Sequence, residues 1–60
     1  MEAFDRLKAL VAEVEADVIR VDNGNKAAGT RVRKAMQAIK AAAQDVRIKV
    51  LEEKDKPEQA

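Results

Sequence analysis

Cationic side chains are the residues of this sequence best suited to chemistry. Residues 23–40 contain five Lys or Arg and no Asp or Glu. Ammonium and guanidinium groups bind phosphate oxygens through charge-assisted hydrogen bonds. Cations near the start of a helix lie against its dipole, which favours anions there, so helix stability alone does not account for them. The block therefore predicts an anionic partner, and its members are Lys26, Arg31, Arg33, Lys34 and Lys40.

Side chains that support catalysis or hold metals are scarce. The sequence contains no His, no Cys and no Ser, and Thr30 carries the one aliphatic hydroxyl. The two glycines, Gly24 and Gly29, do not form a phosphate-binding loop. The acids of the first half are scattered, without the spacing of metal ligands. We therefore expect no enzymatic activity, no cofactor, no metal site and no small-molecule substrate.

A second cationic pattern has a period of seven residues and consists of Lys26, Arg33, Lys40, Arg47 and Lys54. This period places the five side chains in one stripe along a helix. Two interpretations remain open. The stripe binds phosphates, or it pairs with acids of an opposing helix, as Asp22 with Lys26 and Glu15 with Arg33.

The elements that must position these cations are helices. Ala, Glu, Lys, Arg, Val and Leu dominate, and the one clear break is Asn23-Gly24-Asn25. Gly24 suits the left-handed position that ends a helix, and Asn25 is a good N-cap for the next one. The sequence predicts one helical-hairpin domain over residues 1–55 and a frayed tail over 56–60. Within the domain we expect a helix over 2–22, a turn over 23–25 and a helix over 26–54.

Apolar residues recur at heptad spacing in both segments. The first seam is Phe4, Leu7, Val11, Val14, Val18 and Val21, and the second is Gly29, Val32, Met36, Ile39, Ala43, Val46 and Val50. One antiparallel register pairs the two seams at every layer, from Val21 with Gly29 to Phe4 with Val46. Gly29 opposite Val21 is expected to let the backbones approach. The fold class predicted is all-α, an antiparallel two-helix hairpin. Arg31 and Lys34 lie farther from this seam, which favours an external partner for them.

The chain has too few large apolar residues to fill a core by itself. It has 60 residues and one aromatic, and Leu10, Ile19, Ile48 and Leu51 lie off the seam. Domains of this size usually need a partner to bury enough surface. We therefore expect a homodimer, most simply a four-helix bundle of two hairpins. No apolar run is long enough to predict a membrane span and no signal pattern is seen, so the expected location is cytoplasmic.

Residues 24–35, Gly-Asn-Lys-Ala-Ala-Gly-Thr-Arg-Val-Arg-Lys-Ala, resemble the signature of the bacterial linker-histone-like family, the chlamydial-type histone-like nucleoid proteins. The order of an acidic helix, this block and a basic, apolar helix is also similar to the head of that family. The resemblance implies a DNA-binding, nucleoid-associated protein that helps to organise the chromosome. It matches here at Lys26, Arg31, Arg33 and Lys34.

Together these patterns predict a homodimer that binds duplex DNA non-specifically through backbone phosphates. The candidate nucleic-acid-binding residues are Lys26, Arg31, Arg33, Lys34, Lys40 and Arg47. Two alternatives remain open. One is a self-assembly or protein-interaction module with little nucleic-acid binding. The other is RNA binding, because the layout resembles Rop-like hairpin dimers although the sequence does not.

Overall fold

Two antiparallel α-helices joined by a short turn form a hairpin in the computed structural model, which describes residues 1–54. Helix α1 spans Glu2–Asp22 and helix α2 spans Lys26–Lys54. No strand occurs within residues 1–54, so the described chain is all-α. The tail predicted over 56–60 lies outside the described residues.

The turn is fixed by the two residue types that the sequence singles out. Gly24 adopts a φ of 90°, a left-handed conformation that costs glycine little. The N–H of Gly24 donates to the Val21 carbonyl and the N–H of Asn25 donates to the Arg20 carbonyl, the two bonds of a Schellman motif. The Asn25 side-chain oxygen then accepts from the Ala28 N–H at 3.0 Å. The predicted C-terminal glycine and N-cap asparagine are thus confirmed.

The helices meet through a narrow face that is rich in alanine. Two of the three enclosed residues are Ala28 and Ala42, and the third, Val14, is 6% exposed. The positions on this face that are buried or half-buried are Ala3, Leu7, Leu10, Val14 and Asp17 on α1 and Ala28, Gly29, Val32, Ala35, Ile39, Ala42, Ala43 and Val46 on α2. On α2 the contact keeps five of the seven predicted seam positions and adds three alanines, whereas on α1 it is rotated toward Leu10 and Asp17.

The predicted seam was wrong at six exposed positions, Phe4, Val11, Val18, Val21, Met36 and Val50. It was right at the buried or half-buried positions Leu7, Val14, Gly29, Val32, Ile39, Ala43 and Val46. Leu10, predicted to lie off the seam, is instead half-buried. The physical reason is the size of the residues on α2. Its short alanine side chains form a ridge against which α1 packs closely, and the bulkier side chains are left along one edge of the contact.

Gly29 was expected to allow a close approach of the backbones opposite Val21. The two positions do adjoin, because a Cβ placed on Gly29 would lie 4.0 Å from Val21 Cγ2. That distance is ordinary van der Waals contact, so the packing does not require a glycine here. The expectation of a glycine-dependent approach was therefore wrong.

The hairpin is a slab one helix thick, with extents of 51 × 16 × 13 Å. We call one broad face the apolar side, a groove lined by Val11, Val18, Ile19, Met36 and Ile39. We call the opposite face the charged side, which carries Arg6, Glu13, Asp17, Arg31, Asp45 and Lys49. Neither α1 nor α2 contains a stretch that is both long and apolar enough to cross a bilayer.

Candidate nucleic-acid interface

Asp17 connects the two helices on the charged side. Its Oδ2 accepts a hydrogen bond from Arg31 Nε at 3.0 Å, and its Oδ1 accepts one from Arg31 Nη2 at 2.9 Å. The same Oδ1 also accepts a hydrogen bond from Arg20 Nη1 at 2.8 Å. One carboxylate therefore holds two guanidinium groups, Arg20 from its own helix and Arg31 from the other.

Burial and charge distinguish Asp17 from the other acids of α1. Its side chain is 17% exposed because it lies at the contact face, whereas the Arg20 and Arg31 side chains are 55% and 53% exposed. Hydrogen bonding by Arg31 lowers the pKa of the Asp17 carboxyl below its ordinary value, against an opposing effect of desolvation and with a further contribution from Arg20. The carboxylate thus stays ionised while about half of each arginine side chain faces solvent.

The ion pairs of the structure differ from two expectations drawn from the sequence. Arg31 was expected to favour an external partner over pairing within the hairpin, yet it forms a two-point hydrogen bond to Asp17 of α1. The proposed pairs of Asp22 with Lys26 and Glu15 with Arg33 are not among the ion pairs formed by residues whose side chains the structure describes. Both differences follow from the rotated contact face, which brings Arg31 close to α1 at Asp17.

Four of the predicted binding residues have no partner in the described part of the chain. Lys26, Arg33, Lys34 and Lys40 form no ion pair or side-chain hydrogen bond with any described residue. All four residues are exposed. Arg47 donates to the Gln44 side-chain oxygen at 3.3 Å, a neutral acceptor that leaves its charge unpaired. Lys26, Arg33, Lys34 and Lys40 are therefore open to an outside anion.

The six predicted residues do not share one surface. Arg31 lines a groove of the charged side with Glu13 and Asp17. Lys34, one helical turn after Arg31, lies on the same flank of α2. The heptad positions 26, 33, 40 and 47 lie on the other flank, where Arg47 lines a groove with Val50 and Leu51. The cations thus form two separate surfaces, one on each flank of α2.

Asp17 and Arg20 were missed by reasoning from the sequence. The signal for Arg20 was present, because Asp17 and Arg20 are three residues apart and such pairs face each other on a helix. The role of Asp17 depends on a contact face that includes Leu10 rather than Val11, and the predicted seam included Val11 instead. Within the described residues, no group of three or more potential metal-ligating side chains comes together.

A family model described as histone H1-like protein Hc1 matches residues 1–56. The chain belongs to this family. The resemblance seen in residues 24–35 is thereby confirmed, although no curated protein and no solved structure matches the chain. Membership of the histone H1-like Hc1 family indicates a DNA-binding, histone-like role in the nucleoid, and the family is not one of enzymes.

Proposed function

We propose that this histone H1-like chain binds duplex DNA non-specifically through backbone phosphates, as a homodimer located at the nucleoid. The observation that carries the proposal is the unpaired state of Lys26, Arg33, Lys34 and Lys40 in the first half of α2. Cations without an internal acid are free to replace the counterions of a duplex, which is the main source of non-specific affinity. Arg31 and Arg47 extend the proposed contacts along the same helix.

The start of α2 adds to the attraction for an anion. Its first turn contains no acidic residue, although acids are the usual choice at that end of a helix. The α1 helix shows the usual arrangement, with Glu2 and Asp5 in its first turn and Arg20 in its last. The contrast between the two helices within one hairpin supports a role for the α2 start outside helix stability.

The apolar side supports the homodimer. Val11, Val18 and Met36 flank a groove there, and Ile19 is 61% exposed. In the described chain only three residues are enclosed, so a single hairpin buries too little apolar surface for a domain of this size. A second copy that covers this side would complete a four-helix bundle. It would leave Arg31 and Lys34 uncovered on the charged side, and Lys26, Arg33 and Lys40 would lie along the edge of the covered face.

The same apolar side favours one alternative, a self-assembly module with little affinity for nucleic acid. In that case Arg33 and Arg47, which flank the apolar side, would pair with acids of the partner copy rather than with phosphates. Removing these cations is expected to change a different property in each case. Loss of Arg33 would weaken assembly in the module and would weaken DNA binding in the nucleoid protein.

The test compares two triple variants with equal losses of charge. One neutralises three unpaired cations of α2, Arg33→Gln, Lys34→Gln and Lys40→Gln. The control neutralises three exposed cations elsewhere, Arg6→Gln, Lys8→Gln and Lys49→Gln. Binding of a random DNA duplex and of an RNA duplex is measured by fluorescence anisotropy. We expect the α2 variant to lose roughly a hundredfold in DNA affinity and the control only a few-fold. Equal losses would contradict the proposed surface, and tighter binding of RNA would favour the RNA alternative.

A further inference from the structure

We propose that Arg20 and Arg31 form a single phosphate-binding site and that Asp17 is the positioning residue that builds it. The inference rests on the proposed DNA-binding function and deepens it, because it adds a residue of α1 that the basic block of α2 does not contain. Its ligand is a phosphate group of the DNA backbone.

Arg20 and Arg31 share one acceptor oxygen atom of Asp17. Arg20 Nη1 and Arg31 Nη2 bond the same Asp17 Oδ1, at 2.8 and 2.9 Å. Two nitrogens that bond one oxygen lie within about 6 Å of each other, a distance that one phosphate group can bridge with two of its oxygens. A guanidinium has five N–H donors, and Asp17 engages only some of them on each arginine. The remaining donors form no hydrogen bond with a described residue, and more than half of each side chain is exposed.

The charges of the two guanidinium groups and the Asp17 carboxylate leave the proposed site cationic. Two guanidinium groups this close would repel each other, and the Asp17 carboxylate between them offsets that repulsion. The three groups together keep one positive charge, which one phosphate neutralises. The carboxylate is mostly enclosed, and the guanidinium groups cover it from both helices. An incoming phosphate therefore meets donors before it meets the acid.

Contacts with the turn and with Asp17 hold both arginines in place. The Arg20 carbonyl accepts the N–H of Asn25, so the backbone of Arg20 is tied to the turn that starts α2. Arg31 lies on α2 beyond that turn and is tied back to α1 through Asp17. Both arginines are therefore held before the ligand arrives, which reduces the entropy lost on binding.

The position of the proposed phosphate-binding site keeps it clear of the proposed dimer surface. The site lies on the charged side, one helical turn before Lys34 on α2, and opposite the apolar side proposed to receive a second copy. Dimerisation through the apolar side leaves this surface exposed on both copies. Glu13 lines the same groove and is the one acid there that no arginine covers among the described residues. It supplies a control of equal charge and similar location.

Arg20 is tested against Arg6, an exposed arginine of the same helix and the same broad side. Arg20→Gln is expected to lower affinity for a DNA duplex by roughly tenfold and to reduce the slope of log affinity against log salt by about 0.9, the value for one phosphate contact. Arg6→Gln removes the same charge and is expected to lower affinity less than about twofold, with an unchanged slope. Equal effects of the two variants would overturn the site.

The positioning role is tested with Asp17→Asn against Glu13→Gln, which each remove one carboxylate from the same groove. If Asp17 acts only as a repelling charge, both variants bind DNA more tightly and to the same extent. We expect Glu13→Gln to bind about twofold more tightly than the unaltered chain and Asp17→Asn to bind more weakly than Glu13→Gln by at least about threefold. Matching affinities of the two variants would overturn the positioning role.

The unaltered chain is measured first, which separates the two proposals. Absence of binding to the duplex overturns the proposed function and this site together. Binding that Arg20→Gln and Arg6→Gln weaken equally overturns the site alone. Circular dichroism of each variant confirms that helix content is retained, and Arg20→Lys keeps the charge if Arg20→Gln does not fold. Since a lysine lacks the planar fork, Arg20→Lys is expected to restore the salt slope but only part of the affinity.

Discussion

Asp17 of α1 holds Arg31 of α2 by a two-point hydrogen bond, with Nε to Oδ2 at 3.0 Å and Nη2 to Oδ1 at 2.9 Å. The bond joins residues 14 positions apart in the sequence, across the hairpin. It joins the two helices, whereas the pairs of Lys8 with Asp5, Arg20 with Asp17 and Lys49 with Glu52 each join residues three apart within one helix. The contact face and the charged side therefore meet at Asp17.

Acid is expected to weaken the hairpin through Asp17. The pKa of its carboxyl is lower in the folded chain than the ordinary value of about 3.9. The stabilisation is therefore complete above that ordinary value and is lost as pH falls through the lower folded value. Asp17→Asn should lower the melting temperature at pH 7 and flatten its fall below about pH 4. Thermal circular dichroism at fixed protein concentration checks this, with Asp45→Asn as the control. An acid profile unchanged by Asp17→Asn would contradict it.

The two glycines should respond to alanine in opposite ways. Gly24 has a φ of 90°, so Gly24→Ala forces a side chain into a left-handed conformation and should destabilise the hairpin by about 1–2 kcal/mol. Gly29 is helical and has room for a Cβ, so Gly29→Ala should stabilise it by about 0.5–1 kcal/mol. Urea unfolding of both variants at one protein concentration measures the difference. Destabilisation by Gly29→Ala would show that the glycine is needed for packing after all.

The apolar side should control self-association. Met36 is 42% exposed in the hairpin and lines the groove of that side. Met36→Asp places a charge where the second copy is proposed to pack, and it should weaken dimerisation by at least about tenfold. Gln37→Asp adds the same charge at the next, exposed position and should leave association nearly unchanged. Sedimentation equilibrium measures both. A monomeric unaltered chain, or equal effects of the two variants, would contradict the proposed dimer surface.

Much of the fold was open to prediction because its determinants are local. The break at Gly24 and the cap at Asn25 depend on residue types whose conformational preferences act within a few positions. The composition between them favours helix strongly, and both the all-α class and the hairpin follow. The family was also visible in the sequence, because residues 24–35 form a contiguous block.

The face through which the helices meet could not be predicted from local residue preferences, because it depends on how the two helices pack. Two heptad phases compete in α1, one marked by Val11 and Val18 and one marked by Leu10 and Asp17, while Val14 belongs to both. Hydrophobicity favours the first, but the small size of Ala28 and Ala42 allows the closer packing of the second. The rotation also explains the site, because it moves Asp17 to the contact and places Arg31 beside it. The pairing of Arg31 was mispredicted for this reason.

Binding through backbone phosphates is tested most directly by the salt dependence of duplex binding by the unaltered chain. Fluorescence anisotropy with a labelled random duplex of about 20 base pairs gives the affinity from roughly 50 to 200 mM salt. We expect affinity to fall steeply as salt rises, with a log–log slope of about −2 or steeper, because each phosphate contacted contributes about −0.9. Binding that is independent of salt, or no detectable binding at about 50 mM salt and micromolar protein, would contradict it.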